Sequence, residues 1–325
     1  MISIIIVNWN GRKWLNKCLG SLSEQTYKKF ELIVVDNGST DDSVSFIENN
    51  FPKTIIIKNK NNTGFAYGNN VGIKKAKGEL MLLINNDAWI EKDFLENLLS
   101  YYKKNKYDVV SPREAKYTGE KQETYSTKID FLGHPVYLLG DKHKKDKPFY
   151  LPGVCLLFSK KLYEQTGGLD NNFFMYCEEV DWFWRLSLLN KKFCFVNNVF
   201  INHAGLGSTN AGIDYNRFLW RNQNTLQMLL KNYKWYTLFW IIPIYILQNI
   251  IEIIFFLIIL KPKISFSYIQ GWWFNILNFD KITARRTWVQ KNRKLGDLEI
   301  IGKMYLGFGK FKHLVNFLNQ SYKYA

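Results

Sequence analysis

Several polar runs stand where buried strands should end, and their residue types could bind a charged ligand. Asn85-Asn86-Asp87 follows the apolar run Leu80–Ile84. A carboxylate there can help hold a divalent cation, which can neutralise charge developing on a diphosphate leaving group. The plain alternative is a strand-end turn, since Asn and Asp are ordinary turn residues. Asp36 closes Phe30–Val35 within Val34-Val35-Asp36-Asn37-Gly38-Ser39-Thr40-Asp41. It could accept a hydrogen bond from a nucleobase N–H, or it could close an Asx-turn while Ser39 or Thr40 caps the next helix. The stretch Asn61–Asn70 contains Gly64, Gly68 and Asn70, with glycines that permit close backbone approach and amides suited to ribose or phosphate. It is not the G-x-G-x-x-G dinucleotide fingerprint.

Acidic chemistry is concentrated at Glu178-Glu179-Val180-Asp181, which reads as the start of a helix. Carboxylates stabilise a helix N-terminus, and Asp181 can pair with Arg185 one turn on. One of the three acids could be a free general base while the others are structural. His203 ends a strand beside Ala204-Gly205. A lone histidine is more often structural than a ligand, yet Asp87 and His203 together make a credible oxygen–nitrogen cation pair once a diphosphate adds oxygens.

The elements that must position these groups alternate strand and helix. Strands are expected at Ile2–Val7, Phe30–Val35, Thr54–Ile57 and Leu80–Ile84, and helices at Lys13–Leu22, Asp41–Asn49 and Asn69–Ala76. Short apolar strands separated by helices indicate an α/β fold with a mostly parallel sheet covered on both faces. Ligands bind beyond the carboxyl ends of such strands, where Asn8, Asp36 and Asp87 should converge. Arg113–Lys147 reads as a variable, charge-rich excursion over the site. Beyond it come a strand at Leu151–Phe158, a helix to Gln165, and short strands at Phe193–Val196 and Val199–Ile201.

From about Arg217 the character changes. Trp235–Leu260 is almost wholly apolar, a second aromatic stretch runs over Ile264–Phe279, and the tail after Lys281 is basic. The 325-residue chain carries a net charge of +16 and 17% aromatic residues, which suits either a nucleic-acid binder or a protein on an anionic membrane. No nucleic-acid motif is present, and the basic residues cluster beside the apolar tail, which favours the membrane. The four cysteines (Cys18, Cys155, Cys177, Cys194) show no metal or disulfide spacing and read as free thiols in a reducing compartment. The apolar start Met1–Val7 has no basic n-region and reads as a strand rather than a leader, so a cytoplasmic protein is expected.

In order, Val7-Asn8-Trp9-Asn10, Val35–Asp41, Asn62-x-Gly64-Phe65-Ala66-x-Gly68-x-Asn70-x-Gly72-Ile73 and Leu83–Asp87 resemble a family 2 glycosyltransferase, above all its rhamnosyltransferase and galactofuranosyltransferase branch. Gly153-x-x-Leu156-Leu157, Gly167-Gly168-Leu169-Asp170-x-x-Phe173-Phe174, Glu178–Asp181, Arg185 and His203 continue the match in register. The resemblance covers roughly residues 1–210. It implies a GT-A fold and inverting transfer from a nucleoside diphosphate sugar with Mg²⁺ or Mn²⁺. By position it assigns Asp36 to the base, with Asn8, Gly64, Asn70, Asn85 and Asn86 around the nucleotide sugar. It assigns Asp87 and His203 to the metal. Glu178, Glu179 and Asp181 would hold the acceptor and supply the base, with Glu179 the first choice. Two departures stand out. Asn85 occupies the first position of the family's D-x-D, which leaves one carboxylate for the cation, and Glu179 stands where Asp is frequent. The implied division is a GT-A domain over 1–215 (1–110 for the nucleotide sugar, 111–215 for acceptor and catalysis) and a helical membrane-associated region over 216–325.

Trp235–Leu260 is long enough to span a bilayer, but a single span would put the basic tail on the far side from a cytoplasmic enzyme. A re-entrant or in-plane segment at the cytoplasmic face is therefore expected. A true span is the second reading, and a soluble helical subdomain or a dimer interface (hence a homo-oligomer) the third. Membrane attachment suggests a glycan or polyprenyl-linked acceptor. The competing functional reading is a sugar-nucleotide-binding protein with weak or no transferase activity, motivated by Asn85. A nucleotidyltransferase is less favoured, because its glycine- and lysine-rich loop is not evident.

Overall fold

β1 (Ile2–Asn8) has the composition of a strand buried on both faces, and six of its seven residues are buried. In the computed structural model, which describes residues 1–116, 125–143, 145–205 and 214–311, it lies near the middle of an 8-stranded sheet. The chain divides into two compact units. Met1–Tyr125, Leu139–Met175 and Lys191–Asn210 make the first; Ser126–Leu138, Tyr176–Asn190 and Ala211–Ala325 make the second. Residues 126–138 and 176–190, which precede the expected boundary at 215, thus group with the helices that follow it.

In the first unit β1 is followed by α1 (Arg12–Ser23), β2 (Phe30–Asp36), α2 (Ser43–Asn50), β3 (Ile55–Lys58), α3 (Gly64–Lys75), β4 (Leu80–Ile84), β5 (Ala88–Ile90), α4 (Phe94–Lys104) and β6 (Val109–Lys116). Following β7 (Tyr125–Ile129) and β8 (Pro135–Leu139), it continues with β9 (Cys155–Ser159), α5 (Lys160–Gln165) and, beyond α6 (Glu178–Leu188), β10 (Phe193–His203). The strand order is β3-β2-β1-β4-β9-β6-β10-β5. β1 is parallel to β2 and β4, β2 to β3, and β6 to β10; β9 and β5 run against their neighbours. The mostly parallel sheet is as expected. The buried face of α1 (Leu15, Cys18, Leu19, Leu22) and that of α4 (Phe94, Leu95, Leu98, Leu99) join one apolar core with Ile4, Ile6 and Leu82.

Three differences from the expected elements have physical causes. α3 begins at Gly64, five residues before the expected Asn69, so most of the glycine-containing stretch is helix rather than loop. Its glycines recur every fourth residue and form a contact face. A Cβ at Gly68 would lie 2.8 Å from Val7 Cγ1, and one at Gly72 2.5 Å from Ile5 Cγ2. Packing against β1 therefore outweighs the low helix propensity of glycine. The two short strands expected near residue 200 are one strand, β10, with a register irregularity between Val196 and Phe200. The excursion expected from Arg113 begins instead as sheet, because β6 pairs with β10 as far as Lys116.

The second unit contains all but the outermost residue of β7 and of β8, which pair as a two-stranded sheet, and α6. It also contains α7 (Tyr215–Asn232), α8 (Trp235–Ile258), α9 (Pro262–Leu277), α10 (Phe279–Asn292) and α11 (Asp297–Ile301). Pro262 opens α9 at a position where its missing N–H costs nothing. α7 is unusual for a buried helix, because Asn222, Gln223, Asn224, Gln227 and Asn232 are all buried.

Candidate active site

Of the three residues expected to converge, Asn8 and Asp36 meet through their side chains, and the turn after β4 joins them through Asn86 rather than Asp87. Asn8, fully buried at the end of β1, donates from Nδ2 to Asp36 Oδ1 (3.2 Å) and to Ser39 Oγ (3.2 Å). Its Oδ1 accepts from Asn86 Nδ2 at 2.9 Å. Asn8 is thus a clamp that ties the end of β2 to the turn after β4. Gly11 makes room for it, since a Cβ there would lie 2.1 Å from Asn86 Nδ2. Asp36 also accepts from Ser39 N (3.0 Å) and Ser39 Oγ (2.5 Å), so it closes an Asx-type turn. A carboxylate offers about four acceptor sites, which leaves room on Oδ2 for one further donor.

Asn37 fixes the next loop. Its amide donates to Gly64 O at 3.0 Å, and its Oδ1 accepts from Asn59 Nδ2 (2.8 Å) and Thr63 Oγ1 (3.1 Å). Gly64 itself has φ +83°, and a Cβ would sit 2.1 Å from Phe174 O, so two separate constraints require glycine. Asn70 is committed within the protein. Its Nδ2 donates to Leu169 O (2.9 Å) and Asn171 Oδ1 (2.6 Å), and its Oδ1 accepts from the Tyr163 hydroxyl.

Asp87 and His203 are brought together by the pairing of β5 with β10, in which His203 lies opposite Ala88. Ala204 N donates to Asp87 O at 3.0 Å and holds the two strand ends in place. His203 Nε2 stands 3.2 Å from Asp87 Oδ1, and its Nδ1 stands 3.1 Å from Glu114 Oε2. Glu114 in turn accepts from Tyr125 Oη at 2.7 Å through its other oxygen. Burial opposes a charge on this imidazole, but its hydrogen bonds to Asp87 and Glu114 outweigh burial and push its pKa up to about 10. Burial also opposes the charge on Glu114, yet the bond from His203 holds its carboxyl below the usual range.

The donor set suits a divalent cation completed by ligand oxygens. Adjacent ligands of an octahedral cation with bonds of about 2.1 Å lie about 3 Å apart, close to the Asp87–His203 separation of 3.2 Å. Glu114 on Nδ1 is the outer partner that metal-binding imidazoles use to fix their tautomer. Asn85 Oδ1 is also buried, with no hydrogen-bond partner. Among the described residues no group of three or more His, Cys, Asp or Glu side chains forms a cage. Such a cation would therefore depend on oxygens from its ligand.

In the second unit, α6 starts after two left-handed residues, Tyr176 (φ 69°) and Cys177 (φ 67°). This strained entry is held by Asn224 Nδ2, which donates to Tyr176 O at 2.8 Å. The three acids then separate. Asp181 is fully buried and accepts from Arg185 Nε (3.0 Å), Lys231 Nζ (3.1 Å) and Asn232 Nδ2 (3.1 Å), so it is a structural ion pair. Glu178 is buried, with Oε2 unpartnered, whereas Glu179 is half-buried. Burial raises the pKa of both; at Glu178 repulsion from Glu179 adds to the rise, whereas at Glu179 backbone N–H bonds and then Arg221 partly offset it.

The glycosyl transferase family 2 model matches residues 3–167, half of the chain. The chain belongs to glycosyl transferase family 2. Among its relatives, the low-salt glycan biosynthesis hexosyltransferase Agl10 of Haloferax volcanii is 28% identical over 192 residues, covering 57% of this chain and 61% of that protein. The poly(ribitol-phosphate) β-N-acetylglucosaminyltransferase TarS of Staphylococcus aureus is 30% identical over 187 residues, covering 52% of this chain and 33% of TarS. The chain thus matches only part of the length of either relative. Among solved structures, S. aureus TarS 1–349 in complex with UDP superposes with a TM-score of 0.52 at 18% identity, covering 71% of this chain and 66% of that one. GalNAc-T7 with UDP, GalNAc and Mn²⁺ gives a TM-score of 0.57 at 14% identity, covering 71% and 48%. These likenesses show the GT-A fold.

For this family 2 glycosyltransferase, the site residue missed by sequence reasoning is Glu114. Pro112 and the polar residues after it read as the start of a loop, and only the pairing of β6 with β10 places the carboxylate on His203. A signal was present in the apolar Val109-Val110 before it, which marks a buried strand start.

Proposed function

We propose that this chain is an inverting glycosyltransferase that moves a hexosyl group from a nucleoside diphosphate sugar to a hydroxyl of a glycan or polyprenyl-linked acceptor at the cytoplasmic face of a membrane. The observation that carries this reading is the Asp87–His203–Glu114 arrangement beside the Asn8–Asp36–Asn86 clamp. Asp36 and the loop at Gly64 receive the nucleoside, with Asn85 and Asn86 beside the sugar diphosphate. Asp87 and His203 would hold Mg²⁺ or Mn²⁺. When bound, that cation would offset the negative charge gathering on the departing diphosphate. Glu179 takes the proton of the acceptor hydroxyl as its oxygen bonds to the anomeric carbon. The bond from that carbon to the diphosphate breaks, and the nucleoside diphosphate leaves with the electron pair. Glu178, whose pKa burial raises, sits beside that base, and Asp181 holds the helix that carries both. The UDP and UDP-GlcNAc present in the TarS structures support testing uridine donors first.

A panel of nucleotide sugars, tested for binding with and without Mn²⁺, is the direct experiment. Mn²⁺ should tighten binding of one donor, Asp87→Asn should remove that gain, and Glu179→Gln should abolish transfer while donor binding persists. Donor binding that ignores Mn²⁺ would exclude the cation site. The second reading, a sugar-nucleotide-binding protein without transfer, is favoured by Asn85 at the first D-x-D position. It predicts donor binding and no product with any acceptor.

A further inference from the structure

Among the described residues, the second unit keeps an apolar face that its other helices leave uncovered. Buried residues of α8 recur about every fourth position (Thr237, Ile241, Tyr245, Asn249), with Phe256 further along, and so form one stripe. That stripe is docked along its length. Tyr245 stacks on His134 at 6.2 Å between ring centroids and its Oη donates to Asn222 O at 3.1 Å, and Phe256 meets Phe218 edge-on at 5.1 Å. Glu252, the one acid in the helix, is neutralised by Lys310 at 2.6 Å and hydrogen-bonded by Tyr268 Oη. On the outer side Phe239 is 85% exposed, Ile251 59% and Ile258 73%, and the face continues onto α9 through Trp273 and Ile276. Large apolar side chains grouped on one face, rather than scattered singly, mark an interaction surface.

Charge decides what covers it. Lys261 and Lys263 stand exposed at the turn from α8 to α9, and Lys281 at the start of α10. A second copy docking through this face would bring like charges together, whereas anionic headgroups would neutralise them at about 1 kcal/mol per cation. Trp235 and Tyr236, both more than half exposed, place amphipathic rings at the opposite end of the hairpin. α8 is long and apolar enough to cross a bilayer, but its inner stripe is fixed to α7, which buries Asn222, Asn224 and Gln227 and carries Arg221. A crossing α8 would drag those groups into hydrocarbon.

We propose that the outer face of α8 and α9 docks in-plane on an anionic lipid bilayer, both helices lying along the headgroup–acyl boundary and no part of α8 crossing. Docking deepens the membrane reading above, and it stands or falls without transfer. The test uses the full chain with an environment-sensitive fluorophore at Leu247→Cys, Ile251→Cys or Ile258→Cys, mixed with phosphatidylcholine vesicles with or without phosphatidylglycerol. Nitroxide lipids report the depth of each label. Docking predicts partition that requires phosphatidylglycerol and one shallow depth, about 5–10 Å below the headgroups, at all three positions. Ile251→Glu with Ile258→Glu should lower partition at least tenfold without altering donor binding, and Lys261→Gln with Lys263→Gln about thirtyfold. A depth profile deepest at Leu247 would show a crossing helix. Dimers that ignore vesicles would show a second copy on this face. Either result overturns the proposal. Because Glu179→Gln should partition like the parent, loss of transfer and loss of docking are separable.

Discussion

Glu114→Gln tests the cation site through a residue that would not itself touch the cation. As a carboxylate, Glu114 accepts on both oxygens, from His203 Nδ1 at 3.1 Å and from Tyr125 Oη at 2.7 Å. Glutamine accepts on one oxygen and donates from its nitrogen. If the oxygen stays with Tyr125, the amide NH₂ faces Nδ1 and forces the proton of a neutral imidazole onto Nε2, the nitrogen that must ligate. Loss of such an outer partner costs about 10–100-fold in metal affinity, or about 1.4–2.7 kcal/mol. The assay is calorimetric titration of Mn²⁺ into the chain saturated with its donor, paired with donor titration in a chelator. Glu114→Gln should weaken Mn²⁺ by that factor and leave metal-free donor binding unchanged. Adding Tyr125→Phe should restore part of the loss, because the glutamine is then free to turn its oxygen toward Nδ1. Unchanged Mn²⁺ affinity in Glu114→Gln, or no recovery in the double variant, would refute the tautomer argument.

Other perturbations probe the acids and the packing. With the Glu178–Glu179 pair raised above the ordinary glutamate value of about 4.3, kcat/KM should climb with pH along a limb above that value. Arg221→Gln should move the limb to higher pH, since the guanidinium favours the charged base; an unmoved limb would assign it to another group. The same pair has a stability consequence. Carboxyls with raised folded pKa stabilise below their unfolded pKa and lose that contribution as pH rises through the folded one. Glu178→Gln should therefore raise Tm more at pH 8 than at pH 5. Asp181→Asn leaves Lys231 and Arg185 buried without their carboxylate and should cost about 3–5 kcal/mol in denaturant unfolding, a loss Glu179→Gln should not share. Gly72→Ala places a Cβ 2.5 Å from Ile5, and overpacking of about 1–3 kcal/mol should outweigh about 1 kcal/mol of helix propensity. Gly20→Ala meets nothing within 4 Å and should stabilise instead.

What could be read from the residues depended on whether the decisive interaction was local. β1, β2 and β4 were legible because a strand buried on both faces writes itself as a continuous apolar run, and their polar ends follow directly. Asp36 and Asn8 were legible as positions, but the Asn8 amide that joins Asp36 to Asn86 spans 78 residues and leaves no local trace. The stretch after Asn62 was misread because glycine signals both a loop and a close helix face. The spacing of Gly64, Gly68 and Gly72 favours the helix, and only contact with Ile5 and Val7 makes that choice pay. Among Glu178, Glu179 and Asp181 the sequence holds equivalent carboxylates at a helix start. What distinguishes them is α7, which puts Lys231 and Asn232 on Asp181 and Arg221 near Glu179. Glu114 shows the same dependence at its sharpest. Nothing in Pro112-Arg113-Glu114 differs from a surface turn until β10 lies beside it, and then the carboxylate fixes which nitrogen of His203 is offered to Asp87. The chemistry proposed for this site therefore rests on strand pairing rather than on a motif. A substitution that shifts β6 against β10 should damage cation binding as surely as one in Asp87 itself.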